Sequence, residues 1–243
     1  MESNNPNYVY ENVTQINDTD ASRKFLANVF LWMFVALGVS TFAAYSFANT
    51  PSLLQLLVDE STHQLTIFAY IAMFSPLAFV LLIRFGLNSI SYPILGLLFI
   101  AYAALTGISL SFILLVYTAS SVISVFLTAS LLFGVMAVAG YTTNQDLTKF
   151  GSIMIMLLFG IIIASLVNFF LHSTGLDLII SYVGVAVFVG LTAYDVQKLK
   201  RIGAGLEYGD ASAKKYALMG GLTLYLDFIN LFLMLLRVFG RRR

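Results

Sequence analysis

Two aspartates lie inside strongly apolar stretches near the end of the chain, and they are the residues best suited to do chemistry. Asp227 is in the middle of residues 217–236, and Asp195 is near the end of the preceding apolar stretch. An ionisable side chain at mid-membrane costs about 2.5–3.5 kcal/mol on insertion scales and is a functional candidate by default. Two carboxyl groups in contact at low dielectric cannot both ionise cheaply, so they titrate as a proton-sharing pair. Such a pair could act as a proton-controlled latch or as a cation site, and calcium prefers oxygen ligands of this kind.

Asp227 belongs to a polar stripe on an otherwise apolar segment. At helical spacing, Thr223 and Asn230 share its face with Gly220 and Met234, whereas the opposite face carries leucine, phenylalanine and isoleucine. A polar stripe on an apolar helix faces protein or water rather than lipid. The alternative role of Asp227 is structural, as a protonated side chain that hydrogen-bonds a neighbouring helix.

Asp195 also has polar neighbours on its own helix face. Thr192 and Lys198 flank it three residues away on either side, and Tyr194 directly precedes it. Its alternative role is an interfacial aspartate that pairs with Lys198. Because the stretches that carry the two aspartates are consecutive, they should form an antiparallel hairpin whose carboxyl groups face the same interior.

Arg84 ends an earlier apolar stretch, at the same side of the membrane as the connection after Lys198. It could anchor the chain by the ordinary preference for basic residues on the cytoplasmic side. It could instead pair with the two carboxyl groups and stabilise their ionised form.

The composition explains which elements hold these residues. Of 243 residues, 59% are hydrophobic and 10% charged, with a mean hydropathy of +0.89. Soluble domains carry about 25% charged residues. The composition therefore excludes a soluble enzyme, a nucleic-acid-binding protein and a disordered chain. The sequence has no cysteine, which excludes disulfides, thiolate metal sites and cysteine nucleophiles.

The apolar stretches predict seven membrane spans in one all-α bundle, since about 20 residues cross the hydrocarbon core. The expected domains are a polar cytoplasmic head (1–24), a seven-helix membrane domain (25–239) and a basic tail (240–243). The expected spans are 25–48, 65–86, 92–117, 120–141, 151–171, 178–198 and 217–239.

The basic residues of the connections alternate in number from one side to the other, and they place the N-terminus in the cytoplasm. The tail departs from this pattern, because Arg237 lies at the end of the seventh span and Arg241–Arg243 follow it. We expect the seventh span to cross fully, since 217–236 is long enough and contains no proline. A re-entrant segment at Gly220–Gly221 is the alternative.

The expected span boundaries place the two aspartates at different depths in the membrane, which makes contact between them difficult. With these boundaries Asp227 lies about 15 Å from the inner surface and Asp195 about 5 Å, at 1.5 Å per residue. Contact requires the sixth helix to continue past Lys198 or the seventh to begin near Gly220.

Small residues at four-residue spacing predict close helix contacts at two places. One is Ala103, Gly107 and Ser111, and the other is Gly160 and Ala164.

The segment Leu224-Tyr225-Leu226-Asp227-Phe228-Ile229-Asn230-Leu231-Phe232 resembles the signature of the transmembrane Bax inhibitor motif family. Tyr194-Asp195-Val196-Gln197 is similar to a second motif of that family, and Arg84 to its arginine near the end of the second span. The resemblance implies a seven-helix fold with the seventh helix central. It also implies a pH-sensitive calcium leak, in which Asp195 and Asp227 form the di-aspartyl sensor and Arg84 interacts with it. The compact length resembles a bacterial member, which implies the bacterial plasma membrane.

We therefore expect a calcium-permeable leak channel, not an enzyme, that is gated by protonation of Asp195 and Asp227 and opens as the pH rises. Its expected partners are the lipid bilayer, calcium and protons, with no cofactor and no nucleic acid. One alternative is an intramembrane aspartyl protease, which also shares a proton between two carboxyl groups. Tyr194-Asp195 fits that class, but Asp227 lacks its preceding Gly-x-Gly. Another alternative is a regulatory membrane protein that does not conduct.

Overall fold

The computed structural model describes residues 18–59, 64–87, 89–206 and 211–243, and these form a bundle of helices. Seven of the helices are long and apolar enough to cross a membrane, which confirms the all-α class and the number of spans, whereas α2 is a single turn. The helices are α1 (Asp18–Asn49), α2 (Pro51–Leu54), α3 (Ile67–Gly86), α4 (Tyr92–Val116), α5 (Ala119–Thr142), α6 (Thr148–Leu171), α7 (Thr174–Ala204) and α8 (Ala211–Phe239).

Three helices are longer than the expected spans in ways that matter for the site. α7 continues past Lys198 to Ala204, and α8 begins at Ala211 rather than at 217. α1 begins at Asp18, inside the stretch expected to be the polar head, and the rest of that head lies outside the described residues. Charged helix ends extend beyond an apolar span because backbone hydrogen bonding continues where the side chains leave the lipid.

The core of the bundle is built from α1, α7 and α8. α8 packs on α1, α4, α5 and α7, and Tyr225, Leu218 and Leu222 along it are completely buried. The main contacts of α3 are with α4, and those of α6 are with α7. The arrangement of all six other helices around a central seventh span therefore stays a prediction, although α8 is clearly an interior helix.

Close approach of the helices depends on small residues at particular positions. A side chain at Gly107 of α4 would collide with the backbone of Ser40 in α1, and Ala103 and Ser111 beside it are completely buried. The expected contact at Gly160 is wrong: this residue is exposed on α6, and no atom lies within 4 Å of where its side chain would begin. α6 packs through other faces, so a small residue there leaves space for lipid.

α8 crosses the bundle completely and is not re-entrant. It is one unbroken helix, and the tail beyond it hydrogen-bonds the connection between α4 and α5. The Thr118 amide donates to the carbonyl of Arg241 at 3.0 Å, and the Arg243 amide donates to the carbonyl of Val116 at 2.9 Å. Near the same end, Arg237 of α8 forms an ion pair of 3.4 Å with Asp177 of α7. The tail thus lies at the opposite end of the bundle from the α5–α6 connection.

Candidate functional site

The candidate site lies where α7 and α8 run antiparallel in close contact. Two glycines set the contact: Gly220 of α8 meets Leu199 of α7, and Gly184 of α7 meets Met234 of α8. Asp195 and Asp227 lie between these two contacts along their helices. The continuation of α7 beyond Lys198 resolves the difficulty of depth, because it brings the end of α7 level with the first turns of α8.

The two carboxyl groups meet each other. Asp227 is only 6% exposed and Asp195 is half-buried, and the two side chains lie close enough to interact directly. The Oδ2 atom of Asp227 is buried and receives no hydrogen bond from a donor group among the described residues. Ionised carboxylates only accept hydrogen bonds, so a hydrogen bond between the two groups requires a proton on one of them.

Two cations act on this pair from nearby. The exposed Arg84, at the end of α3, interacts electrostatically with both carboxyl groups. Lys198 acts on Asp195 from one turn further along α7, and its Nζ also lies 5.9 Å from the centre of the Tyr194 ring. Both charges favour ionisation of the pair, whereas its burial opposes ionisation.

Three other polar residues expected at the site hydrogen-bond the backbone of their own helices. The hydroxyl of Thr192 donates to the carbonyl of Phe188 at 2.7 Å, within the same helix. Thr223 likewise donates to Met219 at 3.1 Å, and the Asn230 amide to Leu226 at 2.9 Å. These bonds satisfy polar side chains inside a bundle without involving a ligand.

Tyr194 has a packing role on the other side of α7. Its ring lies where a side chain at Gly151 of α6 would begin. The Tyr194 ring therefore packs directly on the backbone of α6, next to Asp195.

The two carboxyl groups would supply only part of the coordination shell of a calcium ion. Calcium takes six to eight oxygen ligands, and two carboxyl groups supply at most four. The described residues contain no group of three or more side chains of His, Cys, Asp or Glu that could hold a metal.

Gln197 is a buried residue that the sequence reasoning quoted but did not assign to the site. Its Oε1 accepts from the backbone amide of Leu147 at 2.9 Å, and its Nε2 donates to the carbonyl of Gln145 at 2.7 Å. The side chain thus holds the α5–α6 connection against α7, two residues after Asp195. A buried amide on an apolar helix was the available signal, because such a group must find hydrogen-bond partners.

Asp146 strengthens the same connection from its exposed side. Hydrogen bonds from the hydroxyl and backbone amide of Thr148, and then from Arg201, lower its pKa to about 2. Asp146 therefore stays ionised at neutral pH. The stabilisation from these bonds is complete above the unfolded pKa of about 4 and is lost only as the pH falls toward 2.

A second buried polar cluster connects α8 to the helices that surround it. The Tyr225 hydroxyl lies 2.7 Å from that of Ser40 in α1, and Ser40 donates to the carbonyl of Ala103 in α4 at 2.7 Å. Tyr225 precedes Asp227 by two residues, so this cluster fixes α8 on a face different from the one that meets Asp195.

The chain is similar to one protein family and to several bacterial membrane proteins. The family model described as "Inhibitor of apoptosis-promoting Bax1" matches residues 22–243. The inner membrane protein YbhL of Escherichia coli is 46% identical over 220 residues, which cover 90% of this chain and 92% of the relative. An uncharacterized protein of Borreliella burgdorferi is 44% identical, covering 90% of this chain and 93% of the relative. An uncharacterized membrane protein of Streptococcus pyogenes is 33% identical, with 90% and 93% covered.

Proposed function

This chain belongs to the family of inhibitors of apoptosis-promoting Bax1, and from that premise we propose that it is a calcium-permeable leak channel of the bacterial inner membrane. The Asp195–Asp227 pair gates the leak through its protonation. The observation that carries the proposal is the pair of interacting carboxyl groups, with Asp227 buried, between the closely packed helices α7 and α8. The inner-membrane location of the Escherichia coli relative supports the location.

The sign of the gating follows from the chemistry of the pair. A proton between the two carboxyl groups makes a hydrogen bond that holds α7 against α8. When that proton leaves, two negative charges face each other at low dielectric, where repulsion is strong. The helices separate and the charged carboxylates become a better cation site, so the leak opens as the pH rises.

A leak requires that the site bind calcium weakly enough to release it. Conduction needs binding that is favourable enough to admit the ion and weak enough to let it go. Two carboxylates with incomplete coordination meet this requirement, since water must supply the remaining ligands.

α3 is the helix best placed to move when the pair ionises. It packs mainly on α4, and Pro76 interrupts its hydrogen-bond ladder. Arg84 lies beyond Pro76 near the end of α3, so a bend at the proline would change the distance between this cation and the carboxyl groups. Proline inside a helix removes one backbone hydrogen bond and permits such a kink.

The test is calcium flux into liposomes that contain the purified protein, measured from pH 6 to 8. We expect the wild type to show flux that increases with pH. Asp195→Asn and Asp227→Asn should each abolish the flux or make it insensitive to pH, because neither variant retains two ionisable groups at the site.

The matched control is Asp146→Asn, which removes an exposed aspartate from the same end of the bundle. Asp146 is ionised throughout pH 6–8 because its pKa is about 2, so this variant should keep the pH profile of the wild type. Absence of flux above that of empty liposomes at every pH would reject the channel.

A proton-sharing pair of carboxyl groups is also the chemistry of an aspartyl protease, so one further assay is needed. Incubation with a transmembrane peptide should yield no cleavage products if the channel proposal is right. Cleavage that both aspartate variants abolish would favour the protease. Neither flux nor cleavage would favour a regulatory protein that acts through partners.

A further inference from the structure

A lateral groove between α1 and α5 opens toward the surrounding bilayer. The two helices pack on α7 and α8 rather than extensively on each other. The space between them is a cavity of about 890 Å³ with Phe228 of α8 at its floor. A second cavity of about 380 Å³ continues it toward the tail end, and both include Leu37, Thr41 and Phe126. Both are lined almost entirely by apolar side chains.

A polar pocket lies between α1 and α5 at the other end of the groove. It has a volume of about 280 Å³, and its lining includes Arg23, Lys200 and Arg201 together with Ser22 and Tyr141. Three cations surround a small polar cavity at the end of the bundle that holds the α5–α6 connection. We call it the basic pocket.

Helix geometry places the basic pocket directly beneath the groove. Residues seven apart lie on almost the same helix face, and Arg23 precedes Phe30 of the groove by seven. In the same way, Tyr141 of the pocket follows Gly134 of the groove by seven on α5. Arg23 of α1 and Tyr141 of α5 both line the basic pocket, at the point where the groove ends.

The charges of the pocket leave it positive. Arg201 pairs with Asp146 at 2.9 Å, and Arg23 lies 3.8 Å from Asp20. Lys200, which is half-buried, donates instead to the carbonyl of Tyr141 at 2.8 Å. An ammonium group has three donors, so two remain for an anion.

The length of the groove suits an acyl chain. From Phe30 to Tyr45 the rise along α1 is about 22 Å at 1.5 Å per residue. This is more than half of the roughly 30 Å hydrocarbon thickness, so the chain of a lipid in one leaflet fits along it. The cavity volume is also within the usual range of ligand sites, about 300–1,000 Å³.

We propose that the groove and the basic pocket together bind one anionic phospholipid. Its acyl chain lies between α1 and α5, and its phosphate contacts Lys200 and Arg23. The combination of an apolar groove with a positive end selects this occupant, because a zwitterionic lipid would bring its own cation to the basic pocket and a free phosphate would leave the groove empty.

The test is native mass spectrometry of the purified protein in detergent, titrated with phosphatidylglycerol, phosphatidylcholine or inorganic phosphate. We expect phosphatidylglycerol to bind at one site and the other two to bind more weakly. Lys200→Gln should weaken phosphatidylglycerol binding about fivefold, the usual contribution of one cation facing an anionic headgroup. Lys214→Gln, which removes an exposed lysine elsewhere, should leave binding unchanged.

Two glycines allow the groove to be filled without damage to the fold. No atom lies within 4 Å of where a side chain would begin at Gly134 of α5 or Gly38 of α1. Gly134→Leu and Gly38→Leu should therefore fold as the wild type does and should weaken phosphatidylglycerol binding roughly tenfold or more, since methylene burial dominates lipid binding. Gly160→Leu on α6, where the space is equally open, is the matched control and should bind as the wild type does.

Three outcomes would overturn the proposal. Equal loss of binding in the groove variants and in Gly160→Leu would show only general contact with lipid. Equal affinity for phosphatidylglycerol and phosphatidylcholine would remove the role of the basic pocket. Binding of inorganic phosphate as tight as that of phosphatidylglycerol would show an anion pocket without a lipid site.

Discussion

At the residue scale, Arg84 offers a graded test of the gate. Its charge acts on both carboxyl groups and favours their ionised form. Arg84→Gln should therefore move the calcium-flux curve to higher pH. The shift should stay below about one pH unit, because exposed ion pairs contribute about 0.2–1 kcal/mol and one unit corresponds to about 1.36 kcal/mol.

The measurement is flux against pH at low and at high salt, since salt screens exposed charges. Arg84→Lys is the control and should keep the curve of the wild type. A curve that moves to lower pH in Arg84→Gln, or that does not move at low salt, would contradict a role for this cation at the pair.

Gln197 gives a second prediction at this scale, about the α5–α6 connection. Gln197→Ala removes both hydrogen bonds that hold the connection and leaves the Leu147 amide and the Gln145 carbonyl without these partners. We expect a loss of about 1 kcal/mol of stability for each hydrogen bond, because both bonds are only partly buried. Hydrogen exchange at Leu147 should become faster, whereas exchange in the middle of α7 should not. Unchanged protection of Leu147 would show that the connection is held by other contacts.

The sequence could identify the main residues of the site but not all of its contacts. Asp195, Asp227 and Arg84 stand out because a charge in an apolar stretch is costly, and the structure brings the three together; their role stays a prediction. Gln197 did not stand out because its partners are backbone groups about 50 residues earlier in the chain. Thr192 was expected as a supporting residue, but its hydroxyl bonds its own helix.

At the element scale, two glycines of α5 differ in what a side chain would meet. One lies at a close helix contact, and the other affects only the helix propensity of α5. A side chain at Gly140 would collide with the backbone of Ala193 in α7, whereas the space at Gly134 is open. Gly140→Ala should lower the melting temperature in detergent, because two backbones would have to separate. Gly134→Ala should leave it unchanged or raise it, since alanine is better than glycine in a helix by about 1 kcal/mol. Equal effects of the two substitutions would contradict the close α5–α7 contact.

The proline inside α3 gives another prediction at this scale. Pro76 cannot donate to the carbonyl of Ala72 one turn earlier, and the hydroxyl of Ser109 in α4 donates to it at 2.5 Å instead. Ser109→Ala should therefore destabilise the protein by about 1–3 kcal/mol. The effect should be absent when Pro76→Ala restores the helical hydrogen bond, and thermal unfolding of both single variants and the double variant measures this. Additive losses in the double variant would refute the compensation.

The sequence predicted the elements well because length and hydropathy determine them. It could not predict which small residues meet another helix: Gly107 and Gly160 lie in similar four-residue patterns, but only Gly107 lies at a close contact. Hydropathy also predicts spans that are shorter than the helices α7 and α8. Residues around Lys200 are polar enough to leave the membrane, yet their backbone continues the helix to Ala204.

At the scale of the whole molecule, the complete crossing of α8 divides the basic residues between two ends. The tail hydrogen-bonds the α4–α5 connection, whereas Lys149 lies at the start of α6, at the opposite end. The preference for basic residues on the cytoplasmic side is strongest in the connections. We therefore expect Lys149 to face the cytoplasm and Arg243 to face the outside.

The absence of cysteine from the sequence makes this topology directly measurable. Lys149→Cys and Arg243→Cys each introduce a single thiol at an exposed position, and a membrane-impermeant maleimide reports which side it faces. In intact bacterial cells whose outer membrane has been made permeable, Arg243→Cys should react and Lys149→Cys should not, until the inner membrane is disrupted. The reverse pattern would invert the orientation but keep the crossing. Reaction of both thiols from the same side would mean that α8 does not cross, and the antiparallel pairing of Asp195 with Asp227 would then lose its structural basis.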